Sequence, residues 1–280
     1  MKWTSLLFIF LMPSLVLAGT ISLTTSVTTD VLSKNQGQIQ VSLSNSGNEA
    51  AYNVQLSLVT DYFSSDPVHV GTLDVNKPFK TNITFSANQE LKEGNYPVVL
   101  LTEYTDANGY PFSSVSPVTL TYKNPYSSRI NWNFTIIEIS GKKPKNLVLN
   151  LKNMDQVSHD INVRLILPNE LSSDVGQNNI TLGSKEEKTI TFKVSNFAGL
   201  EGSNYVVLAS IEYEGDHHYS SLASGMVKII ESKDFFRPDK WVIISAIGVL
   251  ILVFIIYQFK NKKIEFKFTK NKKWSNEKED

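Results

Sequence analysis

Few residues of this 280-residue chain have the types and spacing that catalysis or metal binding requires. Asp216, His217 and His218 are consecutive, and two imidazoles beside a carboxylate can ligate a metal ion. Adjacent residues of a strand point to opposite faces, so both imidazoles reach one ion only if a turn bends them together. His69 and His159 stand alone and are expected to face solvent. We therefore expect no metal site and no cofactor.

A second candidate for chemistry is the Ser-x-x-Lys spacing of Ser140 and Lys143, which penicillin-binding enzymes use where it opens a helix. Here the pair lies in a Gly-Lys-Lys-Pro turn between strands, without the companion motifs. The chain has no Gly-x-Ser-x-Gly, His-Glu-x-x-His or phosphate-binding glycine loop. It also has no cysteine, which excludes thiol nucleophiles, zinc-thiolate sites and disulfides. The sequence predicts a protein that is not an enzyme.

Three sequons give the chain its candidate glycosylation sites. They begin at Asn82, Asn133 and Asn179, and each has Thr two residues later. An asparagine that points outward from an exported domain is accessible to the glycosyl transferase. Chance occurrence is the alternative, because this chain is rich in Asn, Ser and Thr.

The elements that must position these residues occur in two copies. The pattern of residues 39–56 recurs at 147–165. Residues 93–100, Glu-Gly-Asn-Tyr-Pro-Val-Val-Leu, recur at 201–208 as Glu-Gly-Ser-Asn-Tyr-Val-Val-Leu. A repeat this long indicates a copied domain rather than a solenoid unit. Each copy has roughly 105 to 110 residues, which is enough for an independent core.

Both copies show the period-two alternation of apolar and polar residues that is typical of strands with one solvent-facing side. Turn-forming Asn, Asp, Gly and Ser residues separate about seven short strands per copy, which favours an antiparallel β-sandwich. The inward-facing candidates are Ile39, Val41, Leu43, Val54, Leu56, Leu58, Ile83, Phe85, Tyr96, Val98, Leu100, Val118 and Leu120 in the first copy, and Leu147, Leu149, Leu151, Val163, Leu165, Leu167, Ile190, Phe192, Tyr205, Val207 and Ala209 in the second.

A glycine followed by a tyrosine precedes the sixth strand of each copy, as Gly94 with Tyr96 and as Gly202 with Tyr205. This step resembles the tyrosine corner of immunoglobulin-like domains, where the phenol bonds nearby backbone. With the Asn-x-Gly turn at Asn45, the copies resemble the CARDB (cell-adhesion-related) and NEW3 immunoglobulin-like modules of bacterial and archaeal surface proteins. The resemblance implies an immunoglobulin-like fold and a role at the cell surface.

The two ends of the chain contain apolar runs. Residues 1–18 have a lysine, an apolar run and a Val-Leu-Ala ending, which predicts a signal peptide. Residues 241–259 contain no charged residue, and 19 residues at ~1.5 Å each nearly cover the ~30 Å hydrocarbon core of a bilayer. Residues 260–280 have eight lysines and four acidic residues, and excess lysine beside a span predicts the cytoplasmic side.

The basic tail is also a candidate for contact with anionic lipid, at ~1 kcal/mol per close cation. The role of these lysines in orienting the predicted transmembrane helix would by itself explain the positive charge of the tail. The lysines concerned are Lys260, Lys262, Lys263, Lys267, Lys270, Lys272 and Lys273.

These features predict an all-β chain: two tandem immunoglobulin-like antiparallel β-sandwiches plus one C-terminal transmembrane helix. The expected boundaries are 1–18 for the signal peptide, 19–124 and 125–236 for the two sandwiches, 237–259 for the transmembrane helix and 260–280 for the basic cytoplasmic tail. The expected location is the plasma membrane, with the N-terminus outside and the C-terminus in the cytoplasm.

This layout predicts a non-catalytic single-pass cell-surface glycoprotein for adhesion, envelope interaction or spacing. A protein or glycan partner outside the cell is expected, and no nucleic acid. The layout is also similar to that of the translocon-associated protein beta subunit, with its signal, immunoglobulin-like ectodomain, single span and lysine-rich tail. The alternative function is therefore an accessory subunit of a membrane complex, such as translocon, glycosylation or export machinery.

Overall fold

The computed structural model describes residues 19–231 and 240–260. Residues 19–231 belong to one compact unit and the helix 240–260 to a second. The described part of the first unit consists of strands, turns and loops without a helix, so the all-β prediction is confirmed for it. The expected signal peptide and residues 261–280 of the expected basic tail lie outside the described residues.

The first repeat forms eight strands. Their bounds are β1 (Leu23–Thr29), β2 (Gln36–Asn45), β3 (Ala51–Val59), β4 (Phe63–Ser64), β5 (Val68–Leu73), β6 (Phe79–Ala87), β7 (Gly94–Thr105) and β8 (Pro111–Tyr122).

The second repeat forms nine strands. Their bounds are β9 (Ile130–Phe134), β10 (Ile136–Ser140), β11 (Lys145–Asn153), β12 (His159–Ile166), β13 (Leu171–Ser173), β14 (Gln177–Leu182), β15 (Glu187–Asn196), β16 (Asn204–Glu214) and β17 (His218–Ile230).

The strand order is the same in both repeats, except that the second has an additional strand, β10, beside its last strand. One sheet of the first repeat has the order β1-β2-β6-β4, and the equivalent sheet of the second has β9-β11-β15-β13. The remaining strands belong to one nine-stranded sheet with two halves, β8-β7-β3-β5 and β10-β17-β16-β12-β14, which are joined by a single parallel bridge between Gly94 in β7 and His218 in β17. This is the A-B-E-D and G-F-C arrangement of immunoglobulin-like sandwiches. The strands β7 and β16 are the F strands, and β8 and β17 are the G strands.

Each repeat encloses its own hydrophobic core between its two sheets. The residues expected to face inward do so, and most are buried. Leu58 and Leu167 are the exceptions: both are half-buried and pack against the edges of their cores. At roughly 1.5 to 3 kcal/mol for each large apolar side chain removed from water, each core is large enough to stabilise a sandwich.

Two equivalent asparagines fix the turn after the B strand of each repeat. Asn45 and Asn153 are both fully buried. The Oδ1 of Asn45 accepts a hydrogen bond from the Gly47 backbone at 3.0 Å, and its Nδ2 donates to the Glu49 carbonyl at 2.7 Å. Asn153 Oδ1 accepts from Asp155 in the same way at 2.8 Å. Aspartate therefore replaces the turn glycine without loss of the turn.

The second unit contains one helix, α1 (Lys240–Lys260). Its side chains are described for residues 242–257. Within the described residues, the length and apolarity needed for crossing a bilayer are not met by any helix.

Candidate functional site

The outer face of each F strand is covered as well as the inner face. In β7, Val98 and Leu100 lie in the core of their own sandwich, whereas Val99, on the opposite face, is only 1% exposed. In β16, Leu208 is fully buried on the outer face. The prediction of one solvent-facing side is therefore wrong for these two strands, because each repeat covers the other.

An apolar cluster forms the centre of this interface. Val99 and Val115 from the first repeat contact Leu208 from the second, and all three are buried. Half-buried apolar side chains surround them on both sides of the interface: Val59, Leu101, Ile166 and Leu222. The two G-F-C sheets therefore pack against each other through their outer faces.

Buried titratable side chains lie at one end of the interface, around His218. The imidazole of His218 is 1% exposed, and its Nδ1 lies 2.7 Å from Glu214 Oε1. Its Nε2 lies 3.5 Å from Glu212 Oε2, and the same carboxylate accepts a 2.7 Å hydrogen bond from the Tyr62 hydroxyl. Tyr62 and Tyr96 of the first repeat contact the imidazole ring and also each other, so the histidine of the second repeat packs against a pair of tyrosines of the first.

Burial and the two carboxylates determine the protonation of this cluster. Burial lowers the pKa of His218, but hydrogen bonding and the charges of Glu212 and Glu214 outweigh it, so the pKa is raised above its usual value. Burial, with the charge of Glu212, raises the pKa of Tyr62. Burial, with the charge of Glu214, raises the pKa of Tyr96 to about 12. The environment of the cluster therefore favours the protonated form of His218 and the neutral forms of the two phenols.

A buried carboxylate joins the repeats at the other end of the interface. Glu170 is 3% exposed, and it accepts hydrogen bonds from the backbone NH and the hydroxyl of Ser113 in β8, the latter at 2.6 Å. The Ser113 hydroxyl oxygen in turn accepts a bond from the Asn169 backbone at 2.7 Å. Burial, with the charge of Glu170, raises the pKa of nearby Tyr104 to about 12. A serine of the first repeat is thus fixed by two residues of the second.

The two repeats pack in opposite senses. The hairpin between β7 and β8 contacts the second repeat before its F strand, where the Tyr110 hydroxyl donates to the Ala198 carbonyl. The hairpin between β16 and β17 lies at the start of β7, where the His218 NH donates to the Glu93 carbonyl at 3.0 Å. A Cβ added at Gly94 would lie 2.0 Å from the His218 backbone oxygen, so only glycine allows this approach.

Asp216, His217 and His218 do not converge on one point. His217 stacks on Tyr126 with ring centroids 3.6 Å apart, whereas His218 stacks on Tyr96, and Asp216 is exposed. Among residues 19–231 and 240–260, no group of three or more His, Asp and Glu side chains could hold a metal ion.

The two isolated histidines differ in environment. His69 is exposed, as expected. The expectation of a solvent-facing side chain is wrong for His159, whose side chain is 14% exposed and lies 3.2 Å from Asp155. Its ring also packs on Tyr213 with centroids 4.4 Å apart, which removes it from water.

The remaining candidates lie apart from the interface. Asn82, Asn133 and Asn179 are exposed on β6, β9 and β14. Ser140 ends β10, where its hydroxyl donates to the Glu231 carbonyl at 3.4 Å. Its Ser-x-x-Lys spacing is therefore in a strand and turn rather than at the start of a helix.

The residues that join the repeats were not predicted from the sequence; they include Tyr62, Ser113, Glu170 and Glu212. One signal was present. Residues 205–209 form an unbroken apolar run, which is typical of a strand that is buried on both faces.

No protein-family model and no curated protein matches this chain. Solved structures that it resembles include Escherichia coli alpha-2-macroglobulin activated by porcine elastase, at 10% identity and a TM-score of 0.32, covering 75% of this chain and 22% of that one. A Porphyromonas gingivalis protein of unknown function matches at 10% identity and a TM-score of 0.30, and the match covers 73% of this chain and 99% of that one. The YadV chaperone matches at 14% identity and a TM-score of 0.29, and the match covers 72% of this chain and 98% of the chaperone.

The chain spans only 16% to 22% of the length of the alpha-2-macroglobulins that it matches. Scores this low do not assign a fold, and the description as an immunoglobulin-like sandwich rests on the strand order.

Proposed function

We propose that this protein is a non-catalytic, single-pass cell-surface protein with two immunoglobulin-like modules outside the membrane. The two modules pack together into one unit, the packed head (residues 19–231), and do not act as independent domains. The packed head serves adhesion, envelope interaction or spacing. The observation that supports this most is the interface, in which the two repeats bury the parts of their outer faces around Val99, Val115 and Leu208. Those parts are unavailable to an external partner, so a protein or glycan binds at the opposite sheets, the sheet edges or the loops.

The buried titratable groups support a structural role. Glu170 accepts hydrogen bonds from Ser113, and Glu212 accepts one from Tyr62. His218 bonds Glu214. The hydrogen bonds of Glu170 and Glu212 cross between the repeats, whereas that of His218 lies within the second repeat, where the imidazole packs on Tyr96. These contacts favour stabilisation of the packed head over chemistry on a substrate.

The proposed anchor, residues 237–259, rests on the sequence. The uncharged run of residues 241–259 extends beyond the described side chains at both ends. Within α1, Leu250 is 69% and Phe254 59% exposed, and apolar side chains cover the helix on all sides. A helix that is apolar all round is stable where its surroundings are apolar as well. The lysine-rich residues 260–280 orient the anchor with the C-terminus inside.

The experiment is extraction and proteolysis of the full chain in cells, detected by a C-terminal tag. We expect the chain to stay in the membrane pellet at alkaline pH, and external protease to leave a short tagged fragment. A paired Leu250→Lys and Val253→Lys variant should be lost from the pellet. Release of the unchanged chain by alkali, or protection of the head from external protease, would refute the proposal.

Native sizing in mild detergent separates this function from the alternative. A free chain, or a chain bound to an envelope component, agrees with the proposal. A stoichiometric partner with several membrane spans would instead indicate an accessory subunit of a membrane complex.

A further inference from the structure

The end of the second repeat from which the chain continues toward α1 has three exposed lysines. Strand β10 runs parallel to β17, with Ser140 opposite Ile230 at the last position of both strands. The turn that follows β10 is therefore at this end. Lys142, Lys143 and Lys145 are exposed in it and at the start of β11.

A loop with two exposed apolar side chains lies at the same end. Phe197 is 74% exposed and Leu200 44% exposed. Strand β15 reaches this end because it pairs antiparallel to β11, with Val194 opposite Lys145. The Gly202 NH donates to the Ile229 carbonyl at 2.8 Å, which joins the loop to the last residues of strand β17.

The loop is fixed in shape. Asn196 Oδ1 accepts a hydrogen bond from the Gly199 NH at 2.6 Å, and Asn196 Nδ2 donates to the Gly199 carbonyl at 3.0 Å. The Phe197 NH donates to the Glu170 carbonyl at 2.8 Å. A loop braced in this way keeps the phenyl ring of Phe197 in solvent, although burying it would be favourable by roughly 1.5 to 3 kcal/mol. Exposed apolar side chains on a fixed loop mark a contact surface.

We propose that this end of the second repeat contacts the lipid headgroup region of the membrane to which the chain is anchored. Phe197 and Leu200 enter the interface between headgroups and acyl chains, and Lys142, Lys143 and Lys145 pair with lipid phosphates. This inference rests on the proposed membrane anchor. Only nine residues, 231–239, separate the end of β17 from the start of α1 in the sequence, and nine residues span at most ~32 Å.

Exposed apolar side chains with lysines at the same end of a domain are the composition that interfacial protein segments use. Glu201 adds a carboxylate to the same loop, so the apolar side chains rather than net charge provide most of the contact. A soluble protein could bind at any exposed surface of the repeats, whereas a membrane contact must lie at the end from which the anchor extends.

The absence of cysteine makes a site-specific test direct. The full chain, reconstituted in nanodiscs of phosphatidylethanolamine and phosphatidylglycerol, is spin-labelled at one introduced cysteine. The variants are Phe197→Cys, Leu250→Cys in α1, and Val31→Cys as a matched control. Val31 is 62% exposed and precedes Leu32, which pairs with Tyr122 at the opposite end of the first sandwich. Relaxation by oxygen reports lipid, and relaxation by a water-soluble nickel complex reports water.

We expect the oxygen-to-nickel ratio at position 197 to exceed that at position 31 severalfold, and the ratio at position 250 to be higher still. A water-like ratio at 197 with a lipid-like ratio at 250 would overturn this inference and leave the anchor standing. Water-like ratios at both positions would overturn the anchor and the inference together. Shielding of position 197 from both reagents would show a protein contact, from a second copy or another chain, and would also overturn it.

Discussion

The imidazole of His218 stacks on the phenol ring of Tyr96, with ring centroids 4.2 Å apart and planes within 3° of parallel. Tyr96 is the corner tyrosine of the first sandwich, and its hydroxyl donates to the Lys92 carbonyl at 2.7 Å, as the resemblance to immunoglobulin-like domains predicts. The histidine belongs to the second sandwich. The side chain of Tyr96 therefore stabilises the fold of the first repeat and also its contact with the second.

Titration of His218 should make the packed head less stable at higher pH. Because the folded state raises the pKa of His218, its stabilising effect is complete below the unfolded value of about 6.5 and is lost as pH rises through the folded value. The denaturant midpoint should therefore fall across this window. The drop should be absent in His218→Phe, which keeps a ring but cannot titrate, and unchanged in His69→Gln. An identical pH profile for His218→Phe and the natural chain would contradict this.

Glu170 and Ser113 should be energetically coupled. Removal of either partner leaves a buried polar group unsatisfied, and each single alanine variant should lose about 1 to 3 kcal/mol in the free energy of unfolding. The double variant Glu170→Ala with Ser113→Ala should lose less than the sum. Urea unfolding of the four chains measures this. If the losses of the two single variants add up to that of the double variant, the contact between Glu170 and Ser113 does not contribute to the stability of the packed repeats.

The apolar centre of the interface should transmit a change from one repeat to the other. Leu208→Ala should cost about 2 to 5 kcal/mol, as for other buried leucines. Hydrogen exchange should then increase in β16 and also in β7 of the first repeat, because Leu208 packs on Val99. Leu149→Ala, in the core of the second sandwich, is the matched control. If both variants affect β7 equally, the interface has no separate role.

The paired turn asparagines should contribute similarly to stability. Asn45→Ala and Asn153→Ala each remove several hydrogen bonds from a buried turn, so each should lower the free energy of unfolding by about 1 to 3 kcal/mol. Asn131→Ala, at an exposed position of β9, should lie within about 0.5 kcal/mol of the natural chain. Thermal melts of the three variants make the comparison.

Glycosylation is testable because all three sequon asparagines are exposed. In a host with the pathway, we expect the chain to run above its peptide mass of 31.4 kDa less the signal peptide, and glycosidase to remove the difference. Asn82→Gln, Asn133→Gln and Asn179→Gln should each remove one step if that site is used. A mass that glycosidase does not change would refute the prediction.

Local patterns in the sequence were enough to predict the cores. Alternation at Ile39, Val41 and Leu43 determined which side chains are buried, because side-chain direction in a strand depends only on position. The turn at Asn45 and the corner at Tyr96 were likewise readable, since each involves residues at most five apart in the chain.

The interface between the repeats was decided only by tertiary structure. Val99 and Leu208 could be placed on outer faces from the sequence, but alternation does not tell whether an outer face meets water or another sheet. Likewise, nothing near His218 in the chain indicates that Tyr62, more than 150 residues earlier, lies against its ring. Such contacts arise when two completed sandwiches pack, and they depend on the shape and polarity of whole sheet surfaces rather than on any local spacing.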